Sequence, residues 1–135
     1  MGRSYRVVRD LKAEEGIKRI VDYLGVRYLR PDSIRVVRSY SDARVYARIW
    51  GVCKVIQVGL GIEPTYVIEI IDSRFNELNC KDKIDVILHE LAHIPRTFSG
   101  YVRQHGKAFG RDLSLFRRKI KGLSNSEFNE LCKYF

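Results

Sequence analysis

The spacing of hydrophobic positions changes several times along the chain, and each spacing predicts one element. Four apolar residues of the first quarter recur at helical intervals: Ile17, Ile20, Val21 and Leu24. Asp10 is a residue type that caps helix N-termini and Gly25 one that closes helices, so the pattern predicts a helix between them. "SIRVVRS" (33–39) then predicts a short strand, and "SYSD" (39–42) predicts a turn.

Strict alternation follows in "ARVYARIWG" (43–51), which is typical of a half-buried strand. One face would hold Ala43, Val45, Ala47 and Ile49, and the other would hold Arg44, Tyr46, Arg48 and Trp50. "TYVIEIID" (65–72) is dense in β-branched residues and predicts another strand. "VCKVIQVGLG" (52–61) fits either a strand or a short helix.

A second helical period predicts a helix over 81–94, which Pro95 ends. At 100° per residue its apolar positions form one stripe: Ile84, Ile87, Leu88, Leu91 and Ile94. His89, Glu90 and His93 lie on the opposite side. Because a core histidine should lie within the stripe, we expect these three side chains to line a cleft.

The last third of the chain predicts two more helices. From Gly106 onward, apolar residues at intervals of three and four define a buried face: Phe109, Leu113, Phe116, Ile120 and Leu123. A shorter helix over 125–134 would be capped by Ser124 or Asn125. The elements indicate an α+β fold, and a length of 135 residues indicates one domain over 1–135.

Composition narrows the class of protein. A hydrophobic content of 45% favours a folded globular chain over a disordered one. No apolar run reaches the roughly 20 residues of a membrane span, and no signal-peptide pattern is present, so we expect a cytoplasmic protein without a membrane partner. Cys53, Cys80 and Cys132 form no C-x-x-C pair and are expected to be free thiols that act as small buried hydrophobic residues.

The net charge of +9 is unevenly distributed, with eight Lys/Arg against one Asp over residues 96–121. Such an excess of basic residues is compatible with nucleic-acid binding, with an acidic partner, or with solubility alone. Five residues could contact nucleic acid by charge or stacking: Arg44, Arg48, Trp50, Lys107 and Arg111. The alternative for Trp50 is a solvent-facing strand on which its ring packs against a neighbour.

The candidate chemistry lies in the H-E-x-x-H pattern of His89, Glu90 and His93. Two imidazoles one helical turn apart can bind one Zn²⁺ together, and Glu90 lies on the same side. In the expected mechanism Glu90 takes a proton from a zinc-bound water, which attacks a carbonyl, and Glu90 then protonates the leaving amine. The pattern therefore predicts one zinc ion per chain and a peptidase acting on protein or peptide substrates.

A catalytic zinc needs a third protein ligand, and His105 is the candidate after a gap of eleven residues. The metzincin spacing fails because Arg96 and Ser99 stand where it requires glycine and histidine. A ligand of the gluzincin type, Glu127 or Glu130, stays open as an alternative.

Three further residues could assist the reaction. Tyr101 or Arg103 could stabilise the oxyanion, although each could equally be an ordinary loop residue. Asp85 lies one turn before His89 and could orient its ring, or could be a solvated helix residue.

At "HELAH" and "RQHGKAF" the sequence resembles the SprT-like metallopeptidases, which include Spartan. It is still more similar to metallopeptidases of archaea, bacteria and phages, whose pattern is H-E-[LI]-x-H-I-P-x-x-F-x-G-x-x-R-x-H-G. "YARIWG" and "YVIEII" extend this likeness to about residues 33–120. The matching residues are His89, Glu90, Leu91, His93, Ile94, Pro95, Phe98, Gly100, Arg103, His105 and Gly106.

The resemblance implies a zincin-like α+β core in which a small, mainly antiparallel sheet packs on the H-E-x-x-H helix. It places His89, His93 and His105 on Zn²⁺ and makes Glu90 the general base. It also implies that an edge strand, with 65–71 the candidate, pairs with an extended substrate. Spartan relatives cleave proteins crosslinked to DNA, which would make DNA-associated proteins possible substrates.

Two alternatives remain at the level of sequence. One is a nucleic-acid-binding module with a structural or vestigial zinc site, and the other is a metal-dependent hydrolase or self-cleaving protein that acts on something other than peptides. A structural zinc usually has cysteine ligands, and the motif segment contains none, which favours a catalytic site.

Overall fold

A four-stranded sheet and the helices on one of its faces form the architecture of the computed structural model, which describes residues 4–135. The strands are β1 (Val7–Arg9), β2 (Ile34–Ser39), β3 (Ala47–Gly51) and β4 (Tyr66–Ile71). The helices are α1 (Leu11–Leu24), α2 (Lys54–Leu60), α3 (Asp72–Phe75), α4 (Cys80–Ala92), α5 (Lys107–Ile120) and α6 (Asn125–Cys132). A 3₁₀ turn, Pro31–Ser33, leads into β2.

The sheet has the order β1-β2-β4-β3, so the α+β prediction is confirmed. β2 runs parallel to β4, and the other two pairings are antiparallel. Ile68 at the centre of β4 is paired with Val36 on one side and Ile49 on the other. The expectation that 65–71 forms an edge strand is therefore wrong. A near-continuous run of β-branched residues is typical of an interior strand, and β3 is the edge strand beside β4.

The strand predicted over 43–51 begins only at Ala47. The last backbone hydrogen bond at this end joins the Ile71 amide to the Tyr46 carbonyl at 3.0 Å. After Ile71 the chain turns into α3, so β4 offers no further partner to residues 43–45. An alternating pattern can predict a strand, but its length depends on the neighbouring strand.

The helix termini follow the predicted capping residues. The Asp10 side chain accepts a hydrogen bond from the Ala13 amide, and Gly25 closes α1 in the left-handed conformation with φ 63°. Ser124 and Glu127 form a complete capping box at the start of α6. The ambiguous segment 52–61 contains α2, and α4 ends two residues earlier than predicted, at Ala92.

The apolar stripe of α4 lies in the core as predicted. Its members are at most 1% exposed: Ile84, Ile87, Leu88, Leu91 and Ile94. They pack with residues of α1, α5 and the inner face of the sheet in one hydrophobic cluster. Burial of this stripe fixes the rotation of α4 and hence the direction of its other face. In residues 4–135 no helix has the length and apolarity needed to cross a membrane.

The prediction of free thiols is wrong for Cys80 and Cys132, and the prediction of burial is wrong for Cys53. Cys80 and Cys132 form a disulfide whose Cα atoms are 5.6 Å apart, whereas Cys53 is a free, exposed thiol. The bond joins the first residue of α4 to the last residue of α6, which are 52 positions apart. Only the packing of α6 against α4 brings them together, so spacing along the chain carried no signal.

Candidate metal centre

Three histidine side chains meet at the C-terminal end of α4. His89 and His93 project one turn apart from this helix, and His105 stands two residues before α5. The Nε2 atom of His105 lies 3.2 Å from Nε2 of His89 and 3.2 Å from Nε2 of His93. All three candidate ligand atoms lie within 4.8 Å of one another. Three imidazoles that converge in this way form a donor set suited to Zn²⁺ or a similar ion.

An aromatic side chain supports the three rings. Phe109, on the first turn of α5, has its ring centroid 5.0 Å from that of His89, 4.7 Å from that of His93 and 4.6 Å from that of His105. Phe109 is 7% exposed, so the same residue belongs to the core and to the wall of the site. The apolar period of α5 thus places a core side chain, Phe109, directly against the three histidine rings.

His93 is held by the backbone of Arg103. Its Nδ1 atom lies 2.7 Å from the Arg103 carbonyl oxygen, and the Arg103 amide donates to the His93 carbonyl at 2.9 Å. Because a carbonyl can only accept, Nδ1 carries the proton and Nε2 keeps its lone pair for a ligand bond. The Arg103 carbonyl therefore orients the ring through its outer nitrogen.

Burial lowers the pKa of His89, and the nearby His93 and His105 rings lower it further. Burial also lowers the pKa of His93, although the Arg103 carbonyl opposes this change. The lowered pKa of each of these two residues favours the neutral imidazole, which is the form that binds metal ions.

Glu90 is the buried member of the motif, with only 6% of its surface exposed. Within residues 4–135 its Oε2 atom has no hydrogen-bond partner. Burial raises the pKa of Glu90 to about 7. It borders a cleft of about 340 Å³ between α4 and the segment that leads into β3, lined by Arg44, Val45, Tyr46, Ala47, Asp85, Val86, His89 and Glu90. A buried carboxylate oxygen without a partner is costly, and it indicates a position for a proton, a cation or a reacting group.

A family model described as "Putative phage metallopeptidase" matches residues 5–134. The chain belongs to this family. The match extends beyond the 33–120 region of the sequence motifs and implies a metal ion in a protein with a peptidase fold. No curated protein and no solved structure matches the chain. The likeness to the SprT-like group remains a prediction.

The side chains of the other predicted site residues make no hydrogen bond to the three histidines within residues 4–135, although Asp85 lines the same cleft as His89. The Asp85 carboxylate pairs with the Arg117 guanidinium at 2.8 and 3.0 Å, and no hydrogen bond joins it to His89 in the described chain. Tyr101 is 62% exposed and lines a second cleft, at the end of β3. Glu127 is used in the capping box of α6 and Glu130 in an ion pair with Lys133, both away from the histidines.

The Arg103 side chain supports the loop and does not point to the reaction centre. Its Nε atom donates to the Ala92 carbonyl at 2.9 Å, and its terminal nitrogen donates to Asp112 at 2.6 Å. Asp112 also accepts from Arg96 at 2.7 Å, with Tyr28 and Arg111 at 3.3 and 3.4 Å. Burial opposes ionisation of Asp112, but the hydrogen bonds from Arg96 and Arg103 hold the pKa of its carboxyl well below its usual range.

Asp112 is a site residue that the sequence motifs do not predict, although its position in the chain is unusual. Asp112 is the single acidic residue of the basic segment 96–121 and falls three residues after Phe109, on the buried face of α5. A lone acid on an apolar stripe, followed and preceded by arginines, is typical of a buried ion-pair anchor.

The five residues predicted to contact nucleic acid lie at three different places in the structure. Arg48 and Trp50 both donate to the buried Glu69 carboxylate, at 2.7 and 2.9 Å, on the outer face of the sheet. Arg44 is exposed and lines the cleft beside Glu90, and Lys107 and Arg111 are exposed on the first turns of α5. Nucleic-acid contact by these five residues remains a prediction.

Proposed function

We propose that this protein is a zinc-dependent peptidase that hydrolyses peptide bonds in protein substrates. The observation that carries the proposal is the convergence of three histidine Nε2 atoms beside a buried glutamate whose Oε2 atom has no partner. His89, His93 and His105 would hold the ion, and Zn²⁺ would supply Lewis acidity that activates water and polarises the scissile carbonyl. The family match supports peptidase chemistry in general.

Glu90 would be the general base and then the general acid. It accepts a proton from the attacking water, keeps it in the buried cleft and delivers it to the leaving amine. A group with a pKa near the working pH can do both, and burial raises the pKa of Glu90 in this direction. The Arg103 backbone keeps the His93 ring in the tautomer that the site requires.

The substrate would bind as an extended strand along β3. The Ile71 amide bonds to the Tyr46 carbonyl and the Val52 amide bonds to the Thr65 carbonyl, so alternate residues between them face β4. Ala47, Ile49 and Gly51 therefore direct their backbone groups to the outer edge, where residues 4–135 supply no further strand. Ala47 lines the cleft beside Glu90, so a peptide paired there would pass the reacting groups.

The experiment is casein hydrolysis by the zinc-loaded protein, compared with Glu90→Gln, His105→Ala and the control Glu127→Gln. Glu90→Gln should keep one zinc per chain and lose roughly 10²-fold or more of the activity. His105→Ala should lose most of its zinc affinity, and Glu127→Gln should change neither property. Normal turnover by Glu90→Gln would overturn the mechanism, and full zinc retention by His105→Ala would overturn the ligand set.

Nucleic-acid binding is a second candidate, favoured by one observation. Trp50 is 54% exposed on the outer face of the sheet and the Arg48 guanidinium lies 5.5 Å from its ring centroid. A stacked arginine and indole in a chain of net charge +9 suit single-stranded DNA, and cleavage of DNA-associated proteins would follow from such binding. Affinity for an oligonucleotide that is independent of salt concentration, or unchanged in Trp50→Ala, would exclude it.

A further inference from the structure

The edge strand β3 runs between two clefts. Its first residue, Ala47, lines the cleft beside Glu90, and its last residue, Gly51, lines a second cleft of about 460 Å³. The second cleft is bordered by Gly51, Cys53, Lys54, Ser99, Gly100, Tyr101 and Val102. An extended chain that follows the free edge of β3 away from Glu90 therefore reaches a second concave surface.

The walls of the second cleft are fixed by hydrogen bonds between three elements. The Gln57 side chain donates to the Val52 carbonyl at 2.7 Å and to the Ser99 carbonyl at 2.9 Å, which ties α2 to the loop before His105. The Tyr66 hydroxyl donates to the Tyr101 carbonyl at 2.8 Å and accepts from the Gly100 amide at 2.9 Å. A subsite whose walls are already ordered loses little entropy when it binds a side chain.

Two glycines make this close approach possible. A Cβ atom on Gly51 would overlap the Gly100 carbonyl, and Gly100 has φ 97°, which side-chain-bearing residues rarely adopt. The loop can therefore lie directly against the end of β3, with Tyr101 at the rim of the cleft.

The surroundings of the second cleft are apolar. α2, which begins at the cleft residue Lys54, has no buried residue, and four of its aliphatic side chains are exposed: Val55 at 78%, Ile56 at 47%, Val58 at 73% and Leu60 at 69%. Tyr101 adds an aromatic ring that is 62% exposed, and Lys54 is the single charged residue among those bordering the cleft. Such a surface favours aromatic or aliphatic groups over acidic or small polar ones.

The register along β3 gives the position of the side chain that would be bound. Antiparallel pairing is the more stable arrangement, and it places substrate residues before the scissile bond toward the C-terminal end of β3. Gly51 is four residues from Ala47, which is about 13 Å of extended chain at ~3.3 Å per residue. The second cleft therefore lies about four positions before the bond that is cut.

We propose that the cleft beside Tyr101 is a specificity subsite for an aromatic or aliphatic side chain about four positions before the scissile bond. This proposal rests on the peptidase function and on substrate pairing along β3. Its occupant is a part of the substrate because the free edge of β3 connects this cleft directly to the cleft of Glu90.

The first test maps cleavage sites in unfolded casein by mass spectrometry for the wild type, Tyr101→Ala and the matched control Tyr40→Ala. Tyr40 is also exposed but lies at the far end of β2. We expect aromatic and aliphatic residues to be enriched several-fold at the fourth or fifth position before the cut, an enrichment that Tyr101→Ala removes and Tyr40→Ala retains. Cleavage with a flat profile at these positions, or enrichment only after the cut, would overturn the subsite.

The second test does not need catalysis. Cys53 is a free thiol on the cleft wall, so its alkylation rate in Glu90→Gln can be measured with N-chloroacetyl-phenylalanine amide and N-chloroacetyl-serine amide. In each reaction the Cys53 sulfur forms a bond to carbon and chloride leaves; Cys53→Ser serves to identify labelling at any other thiol.

The rate with the phenylalanine reagent is divided by the rate with the serine reagent, both for Cys53 and for glutathione. We expect this ratio to be at least fivefold larger for Cys53 than for glutathione, and we expect Tyr101→Ala to reduce it to the glutathione value. A ratio for Cys53 equal to that for glutathione would overturn the apolar subsite, even if the wild type cleaves casein. Selective labelling without any cleavage of casein would instead overturn the peptidase function, and with it the assignment of this cleft to substrate.

Discussion

Glu90 and Asp112 are both buried carboxylates, at 6% and 1% exposure, yet their surroundings are opposite. Asp112 accepts hydrogen bonds from three arginines and a tyrosine, and its pKa is held below its usual range. Glu90 has an oxygen without a partner within residues 4–135, and burial raises its pKa to about 7. The two residues lie on α4 and α5, two helices that contact each other.

The difference separates a structural acid from a reactive one. Asp112 fixes Arg96 and Arg103 in the loop between the helices, and Arg103 in turn orients His93 through its backbone. The Glu90 Oε2 atom has no such partner in the part of the chain that the structure describes, which leaves it available to exchange protons. A buried charge that is fully paired supports a site, whereas one that is left unpaired at a cleft is suited to take part in its chemistry.

The largest expected effect comes from Asp112→Asn. Removal of the negative charge leaves Arg103 buried without a counter-charge, and the free energy of unfolding should fall by about 3–5 kcal/mol. Zinc affinity should also fall because the loop that holds His93 is released. Urea unfolding and zinc titration measure both. Glu90→Gln is the matched control and should lose neither stability nor zinc affinity; equal losses in the two variants would remove the distinction between the acids.

A second prediction concerns the pH dependence of the metal-free protein. Between the unfolded-state value near 4.5 and about 7, native Glu90 binds more protons than unfolded Glu90. The free energy of unfolding should therefore decrease as pH rises through this interval, by roughly 3 kcal/mol, and Glu90→Gln should lose this decrease. Identical pH profiles for the two proteins would show that Glu90 is not desolvated.

Asp112 should produce the opposite dependence at lower pH. Its pKa is depressed in the folded state, so its stabilising contribution is complete above about pH 5 and is lost as pH falls below the unfolded-state value near 4. Chemical unfolding of the wild type and Asp112→Asn between pH 2 and pH 6 measures this contribution. The difference in stability should shrink toward acid pH, and a constant difference would contradict the assignment.

A fourth prediction distinguishes two of the arginines that bind Asp112. The Arg103 side chain is 12% exposed and also donates to the Ala92 carbonyl, whereas the Arg96 side chain is 54% exposed. Arg103→Met should lower the free energy of unfolding by about 2 kcal/mol and weaken zinc binding, and Arg96→Met should have a smaller effect on both. A larger loss in Arg96→Met would show that the outer arginine is the main partner.

The smallest effect is expected for Asp85→Asn. The Asp85–Arg117 pair is about half exposed on both sides, so its loss should cost about 0.5 kcal/mol or less. Zinc affinity should not change if Asp85 has no role in orienting His89. A tenfold loss of zinc affinity would restore that role, which the sequence suggested and the observed ion pair does not favour.

Prediction from sequence worked best for local properties. The capping function of Asp10 and Ser124, the apolar stripe of α4 and the side on which His89 and His93 project all follow from spacing within a few residues. The degree to which Glu90 is buried did not follow, because residues of another segment, including Tyr46 and Ala47, close the cleft around it.

Predictions that depend on the partner of a segment succeeded less often. The strand 65–71 was expected at an edge, but its position is decided by β2 and β3, which both pair with it. Cys80 and Cys132 meet because α6 crosses the start of α4, and Arg103 binds His93 and Asp112 because the loop returns beside both helices. Long-range contacts of this kind leave no periodic trace in the sequence.

Within residues 4–135, the sequence by itself determined three of the four strands, the four longest helices, the metal-binding residue types and their placement on one helix face, because these depend on side-chain chemistry and on the strand and helix periods. The tertiary structure decided which groups complete the site: the approach of His105, the carbonyl behind His93, the isolation of Glu90 and the free edge of β3. These features arise where distant segments meet, so only the packing of the whole chain could specify them.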